Sequence, residues 1–144
     1  MHSSAHWYSE DTARDILTRY RTFAVIGCSS DPSRPSFGVT RYLHTHGYKV
    51  IPVNPNETDC QGLGCFPDLM SIPDDAGIEV VDLFRRSEFV GKHVDEAIAV
   101  GAKAIWMQLG VVDEDAAARA EAAGLQVVMD RCPAIDHPRM ISAG

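Results

Sequence analysis

Long apolar runs are missing from this 144-residue sequence, and no stretch approaches the roughly 20 residues that a membrane-spanning helix requires. The N-terminus also lacks the basic-then-apolar pattern of a secretory leader. Both absences point to a cytoplasmic protein with no membrane partner. Positive charge is scarce: 13 Lys plus Arg stand against 20 Asp plus Glu, a formal net charge of −7, and no more than two basic residues are adjacent. This excludes the basic footprint of a nucleic-acid binder. The four cysteines, Cys28, Cys60, Cys65 and Cys132, form no CxxC pair, so they read as reduced thiols and not as a zinc site or disulfide framework.

What is present suits one soluble domain, since 144 residues with 45% hydrophobic content can bury a single proper core. The most informative stretch is 23–38, FAVIGCSSDPSRPSFG. Four apolar residues read as a buried strand, Gly27 stops it, and Ser36 stands just before apolar positions that return at helical spacing. A strand, a tight loop and a helix N-terminus offer free backbone N–H groups and the positive end of a helix dipole to an anion, above all a nucleotide pyrophosphate. Arg34 in that loop has a guanidinium able to pair two phosphate oxygens at once.

Along the rest of the chain, strands and helices alternate. Residues 1–8 read as a polar, flexible tail, in which His2 and His6 are too irregularly placed to expect a metal site. Ala13, Ile16, Leu17 and Tyr20 form one helical face, capped by Ser9 or Asp11. A second helix after the loop ends at Gly47, and a strand over 49–53 runs into Asn54-Pro55-Asn56. Residues 57–75 form an irregular connection with a short helix near 67–70. A third strand over 78–83 leads to Phe84-Arg85-Arg86-Ser87, with Ser87 as the cap of a helix that Gly101 closes. A fourth strand over 104–107, a helix opened by Asp113, Glu114 and Asp115, and a fifth strand over 125–129 complete the pattern, followed by a polar tail. Such alternation predicts right-handed βαβ units, hence an α/β, Rossmann-like single domain with a five-stranded parallel sheet and helices on both faces. The domain is expected over 9–140, with 141–144 as a tail.

The position after the second strand carries Asn54, where an NAD enzyme places an acidic residue for the ribose hydroxyls, and the first loop lacks GxGxxG. Both features count against NAD.

The ordered motifs GCSSDPSRPSFGVTRYL, VNPN, EVVDLFRRSEFV and EAIAVGAKAIWMQLGVVDEDAAARAEAAGLQVVMDRCP closely resemble the small stand-alone CoA-binding proteins. Those are similar in turn to the CoA-binding N-terminal domain of the succinyl-CoA synthetase alpha subunit. The resemblance covers roughly residues 21–139 and implies a domain that binds the ADP part of coenzyme A at the carboxyl edge of the sheet. It implies that Gly27, Cys28, Ser29, Ser30, Arg34, Pro35 and Ser36 surround the pyrophosphate, while Val53, Asn54, Pro55, Leu83 and Phe84 flank adenine and ribose. Arg85 or Arg86 would meet a phosphate, and the pantetheine arm would pass toward Gln108, Gly110 and Cys132. Local arginines are needed, because CoA brings roughly four negative charges to a chain of net charge −7.

The synthetase works through a phosphorylated histidine in a further domain, which this chain does not contain. His137, beside Asp136 in the polar tail, reads as a surface histidine, and Cys28 reads as structural even though a thiol near a helix N-terminus can become reactive. No catalytic residue and no metal ligand is assigned. The expected function is thus a non-catalytic module for CoA or an acyl-CoA, with a protein partner or homo-oligomer left open. The competing classes are an NAD(P)-dependent oxidoreductase and a stand-alone CoA-dependent acyl-transfer enzyme, the latter lacking any nucleophile with a positioned base.

Overall fold

The computed structural model describes residues 5–141; residues 1–4, including His2, and residues 142–144 lie outside the described part. Helix α1 (Glu10–Arg19) starts where the Ser9 hydroxyl accepts the N–H groups of Asp11 and Thr12, and it buries Ala13, Ile16 and Leu17. Then come β1 (Thr22–Ile26), α2 (Pro35–Thr45) and β2 (Lys49–Val53). A small hairpin of β3 (Asp59–Cys60) and β4 (Leu63–Gly64) and two 3-10 turns (Leu69–Ser71, Asp74–Ala76) fill the irregular connection. The second half runs β5 (Val80–Leu83), α3 (Ser87–Ala99), β6 (Ala104–Met107), α4 (Glu114–Ala122), β7 (Gln126–Val128) and α5 (Pro133–Met140).

The main sheet has the order β2-β1-β5-β6-β7, all parallel, as the alternation of elements predicts. Successive residues of each strand feed opposite layers. Val81, Leu83, Ile105 and Met107 pack with Val90, Val94, Ala116 and Ala120 of α3 and α4. Phe23, Val25, Val80 and Trp106 pack with Ile16, Leu17, Val39 and Leu43 of α1 and α2. Both faces are covered, which is why these strands read as apolar runs without alternation, apart from the buried Asp82 in β5 and the polar residues Thr22, Lys49 and Gln126 that open β1, β2 and β7.

Three elements differ from the sequence expectation. Residues 5–8 are not tail: Ala5–Tyr8 make a 3-10 turn, Trp7 is 1% exposed, and its carbonyl accepts the Met129 N–H at 2.8 Å. A large indole buries enough apolar surface to hold the terminus down. The polar C-terminal stretch forms α5, whose Asp136 is buried against the Arg131 guanidinium. The connection over 57–75 contains the hairpin, turned by Gln61 and Gly62 at φ of 56° and 81°.

The sheet order reverses direction between β1 and β5. From β1 the chain crosses by α2 to β2 on one side, whereas β5 continues through α3 to β6 on the other. The loops leaving β1 and β5 therefore diverge and leave a crevice above the carboxyl ends of the strands.

Candidate functional site

Backbone contacts bind the three strand ends at this crevice. The Gly27 N–H donates to the Val53 carbonyl at 2.8 Å and the Phe84 N–H to the Ile26 carbonyl at 2.9 Å. Gly27 has φ of +86°, and a Cβ there would stand 2.5 Å from the Phe84 carbonyl oxygen. Only glycine allows the two diverging loops to approach so closely.

Above them lies a cleft of about 1680 Å³. It is lined by Gly27, Ser29, Arg34, Pro35 and Ser36 from the β1–α2 loop, by Val53, Asn54 and Pro55 from β2, by Phe84 and Arg85 after β5, and by Gln108 after β6. Cys132 borders it too. These residues are scattered over more than a hundred positions, and the parallel sheet brings them to one edge.

Other expected residues are placed elsewhere. Leu83 is wholly in the core. Cys28 lies beneath the loop, its sulfur 2.7 Å from Cys60 Sγ and 3.3 Å from Thr40 Oγ1. Arg86 turns aside toward Glu88 at 3.5 Å. The Gly110 N–H is taken by Asp130 at 2.7 Å. Ser30 stands at the rim, held by Glu57.

The sequence suggests a loop with free N–H groups; the structure partners those of Ser29, Ser30, Asp31 and Ser33. The Ser36 hydroxyl accepts the Ser29 N–H at 3.1 Å, the Glu57 carboxylate accepts the Ser30 N–H at 2.6 Å and the Ser30 hydroxyl, and Ser29 Oγ accepts the Asp31 N–H at 3.0 Å. Asp31 in turn accepts the N–H and hydroxyl of Ser33, which holds its carboxyl below the usual carboxylate range. Ser36 is consequently one residue inside α2, which starts at Pro35, and its side chain serves the loop instead of capping the helix. Ser87 behaves likewise: its hydroxyl accepts the Val112 N–H at 2.9 Å, while Arg86 occupies the cap position.

Asn54 is the clasp between the first two loops. Its amide Nδ2 donates to the Cys28 carbonyl at 2.8 Å and its Oδ1 accepts the Asn56 N–H at 2.9 Å. Beneath it, burial pushes the Cys28 thiol up, and burial together with Cys28 pushes the Cys60 thiol up to about 12. Cys28 is thus a protonated packing residue, not the activated thiol that its position near a helix start allows.

The cleft keeps two guanidinium groups outside any ion pair among the described residues: Arg34, and Arg85, whose guanidinium lies 5.1 Å from the Phe89 ring centroid. Gln108 is 5% exposed and its Oε1 has no hydrogen-bond partner among the described residues. Such a buried acceptor is costly unless something donates to it.

The cleft also has a wall on α3 that the sequence expectation does not include, formed by Phe89, Lys92, His93 and Glu96. Their spacing of 0, 3, 4 and 7 was the available signal. His93 Nδ1 lies 3.3 Å from Glu96, and burial holds its pKa below the usual imidazole value despite that carboxylate. His137 is not at the cleft; it shares a 2.7 Å hydrogen bond with the Tyr42 hydroxyl, and burial, then His46 and Arg21, lower its pKa. No cluster of three or more His, Cys, Asp or Glu side chains able to hold a metal occurs among the described residues. None of the described helices is long and apolar enough to cross a membrane.

Fold and cleft together define a Rossmann-like α/β domain with its crevice over the switch point of the sheet. Residues 21–138 match the family model described as a CoA binding domain, and the chain belongs to that family. It is 34% identical over 129 residues to the uncharacterized protein YneT of Bacillus subtilis, covering 90% of this chain and 94% of YneT. A solved structure of a hypothetical protein from Pyrococcus horikoshii OT3 superposes with a TM-score of 0.89 at 38% identity, covering 99% of this chain and all of that one. A third relative is the acetate–CoA ligase [ADP-forming] II of Archaeoglobus fulgidus, 33% identical over 76 residues, which are 51% of this chain and 11% of the ligase.

Proposed function

We propose that this protein binds coenzyme A or an acyl-CoA in the cleft over the β1–β5 switch point, through the ADP moiety, and that it is a binding module without chemistry of its own. The observation that carries the proposal is the coincidence of three things at one edge. The family match spans the sheet, the cleft is lined by the motif residues Gly27, Ser29, Arg34, Asn54 and Phe84, and the Arg34 and Arg85 guanidinium groups there form no ion pair among the described residues. In a chain of net charge −7, two guanidinium groups outside any ion pair suit a polyanionic ligand, although carboxylates such as Glu88 and Asp113 also line the cleft. The ligase relative is an enzyme that by its name acts on CoA, and it shares only this segment. The pantetheine arm would run toward Gln108 and Cys132, both of which line the cleft.

Calorimetric titration of the reduced protein with CoA, acetyl-CoA, NAD and NADP tests this. Binding of the two CoA compounds alone is expected. Arg34→Ala should weaken CoA by about tenfold, the loss of one charge-assisted hydrogen-bonding group. Binding of NADP alone, or of none of the four, would refute the ligand. Release of free thiol from acetyl-CoA would refute the absence of chemistry.

A further inference from the structure

We infer that Ser30 is an anion-binding position whose internal occupant is the Glu57 carboxylate, so that a phosphate group entering the cleft competes with Glu57 for the same two donors. The inference rests on the proposed cleft ligand for its biological meaning, but its geometry stands apart from it.

Glu57 comes from the β2–β3 loop, and its two oxygens take both the backbone N–H and the hydroxyl of Ser30, the N–H at 2.6 Å. One oxygen atom per donor is the arrangement a phosphate would also make. Both groups stand at the mouth of the cleft, since their chain neighbours Ser29 and Asn56 line it. The amides of Ser29, Asp31 and Ser33 are held by acceptors from within the loop or the first turn of α2, namely Ser36, Ser29 and Asp31. Glu57 differs from these because it belongs to another loop. Displacing it needs the movement of one side chain, with no refolding of the turn.

A second, independent feature of the cleft is Gln108, which lines it and whose buried Oε1 has no donor among the described residues. Charge supplies the competition. A carboxylate fixed at the rim repels an approaching phosphate and occupies its donors, whereas a neutral amide of the same shape repels nothing and bonds more weakly. Glu57 thereby sets a threshold that a ligand with several phosphate groups passes more easily than a single small anion.

The test is calorimetric titration of the wild type and Glu57→Gln with CoA and, separately, with inorganic pyrophosphate; Glu57→Ala serves the same comparison if the glutamine variant does not fold. The variant is expected to bind both ligands about tenfold more tightly, with a melting temperature no higher than wild type in the absence of ligand. A folded variant that binds both equally or more weakly overturns the inference and leaves the CoA reading to the wild-type titration. Tighter pyrophosphate with no CoA binding in either protein upholds the inference and removes CoA as the ligand. Absence of binding in every titration overturns both.

Discussion

Replacing Gly27 by alanine probes the point where the sheet reverses and the cleft begins. Two costs combine there. An L-residue at φ of +86° is in the left-handed region, which costs about 1–2 kcal/mol. The new methyl would also stand 2.5 Å from the Phe84 carbonyl oxygen, and because that atom is backbone no rotamer change can relieve it. The ends of β1 and β5 must separate, at a cost in the range of overpacking, about 1–3 kcal/mol. The sum is about 2–5 kcal/mol, or a fall in melting temperature of roughly 7–17 °C for a domain of this size. Gly47→Ala is the internal control: its φ is +90° and no atom lies within 4 Å of the added Cβ, so only the conformational cost of about 1–2 kcal/mol applies. Urea unfolding followed by circular dichroism measures both, with an unchanged slope required for the comparison. Equal losses at positions 27 and 47 would refute the close approach of the two loops. A Gly27→Ala loss that exceeds that of Gly47→Ala, accompanied by weaker ligand binding, is the expected result.

Three further substitutions test the surrounding frame. Asp82 is fully buried, neither carboxyl oxygen has a hydrogen-bond partner among the described residues, and burial raises its pKa well above the usual carboxylate value. An acid raised in this way contributes its full stability below the unfolded value of about 4 and loses it as pH rises toward the folded value. Asp82→Asn should therefore stabilise the protein at pH 7, with the gain shrinking toward pH 4 in thermal melts; equal gains at both pH values would refute the buried acid. Arg131 holds Asp136 through two hydrogen bonds of 2.7 and 2.9 Å, with side-chain exposures of 16% and 4%. Arg131→Leu leaves that carboxylate only the more distant Arg139, at 3.8 Å, and should cost about 3 kcal/mol in urea unfolding; a loss below about 1 kcal/mol, the worth of a surface pair, would show that α5 is not anchored by Arg131. Asn54→Asp removes the donor to the Cys28 carbonyl and should cost about 1–3 kcal/mol; an unmoved urea midpoint would mean that the clasp bears no load.

The parallel sheet was legible because its signal is dense: apolar strands, helical spacing in between, and turn residues at the joints. What escaped was decided by tertiary contacts. Ser36 and Ser87 have the residue type and position of helix caps, yet each lies inside its helix and serves an amide elsewhere, Ser29 in one case and Val112 in the other. A serine hydroxyl near a helix start has several acceptable partners, and sequence alone does not rank them. Helix α5 was obscured by Pro138 and by polar residues whose burial depends on Arg131. Trp7 looked like part of a loose end because its partner, Met129, is more than a hundred residues away. The cleft motifs on the loops were visible, but its α3 wall required knowing which helical face turned toward them.

Asn54 shows how a residue that discriminates between ligands can be required for a mechanical reason. An acidic residue at this strand end would serve a ribose, but it could not donate to the Cys28 carbonyl, as the Asn54 amide does at 2.8 Å. That bond holds the end of β2 against the loop that follows β1, and the Ser30–Glu57 contact holds the same two loops a few residues further out. The inner bond is neutral, deep and independent of any ligand. The outer one is charged, at the rim, and uses the donors an anion would seek. Such a pair lets the outer contact open while the inner one preserves the strand ends, so that a ligand could enter without disturbing the backbone contact between Gly27 and Phe84.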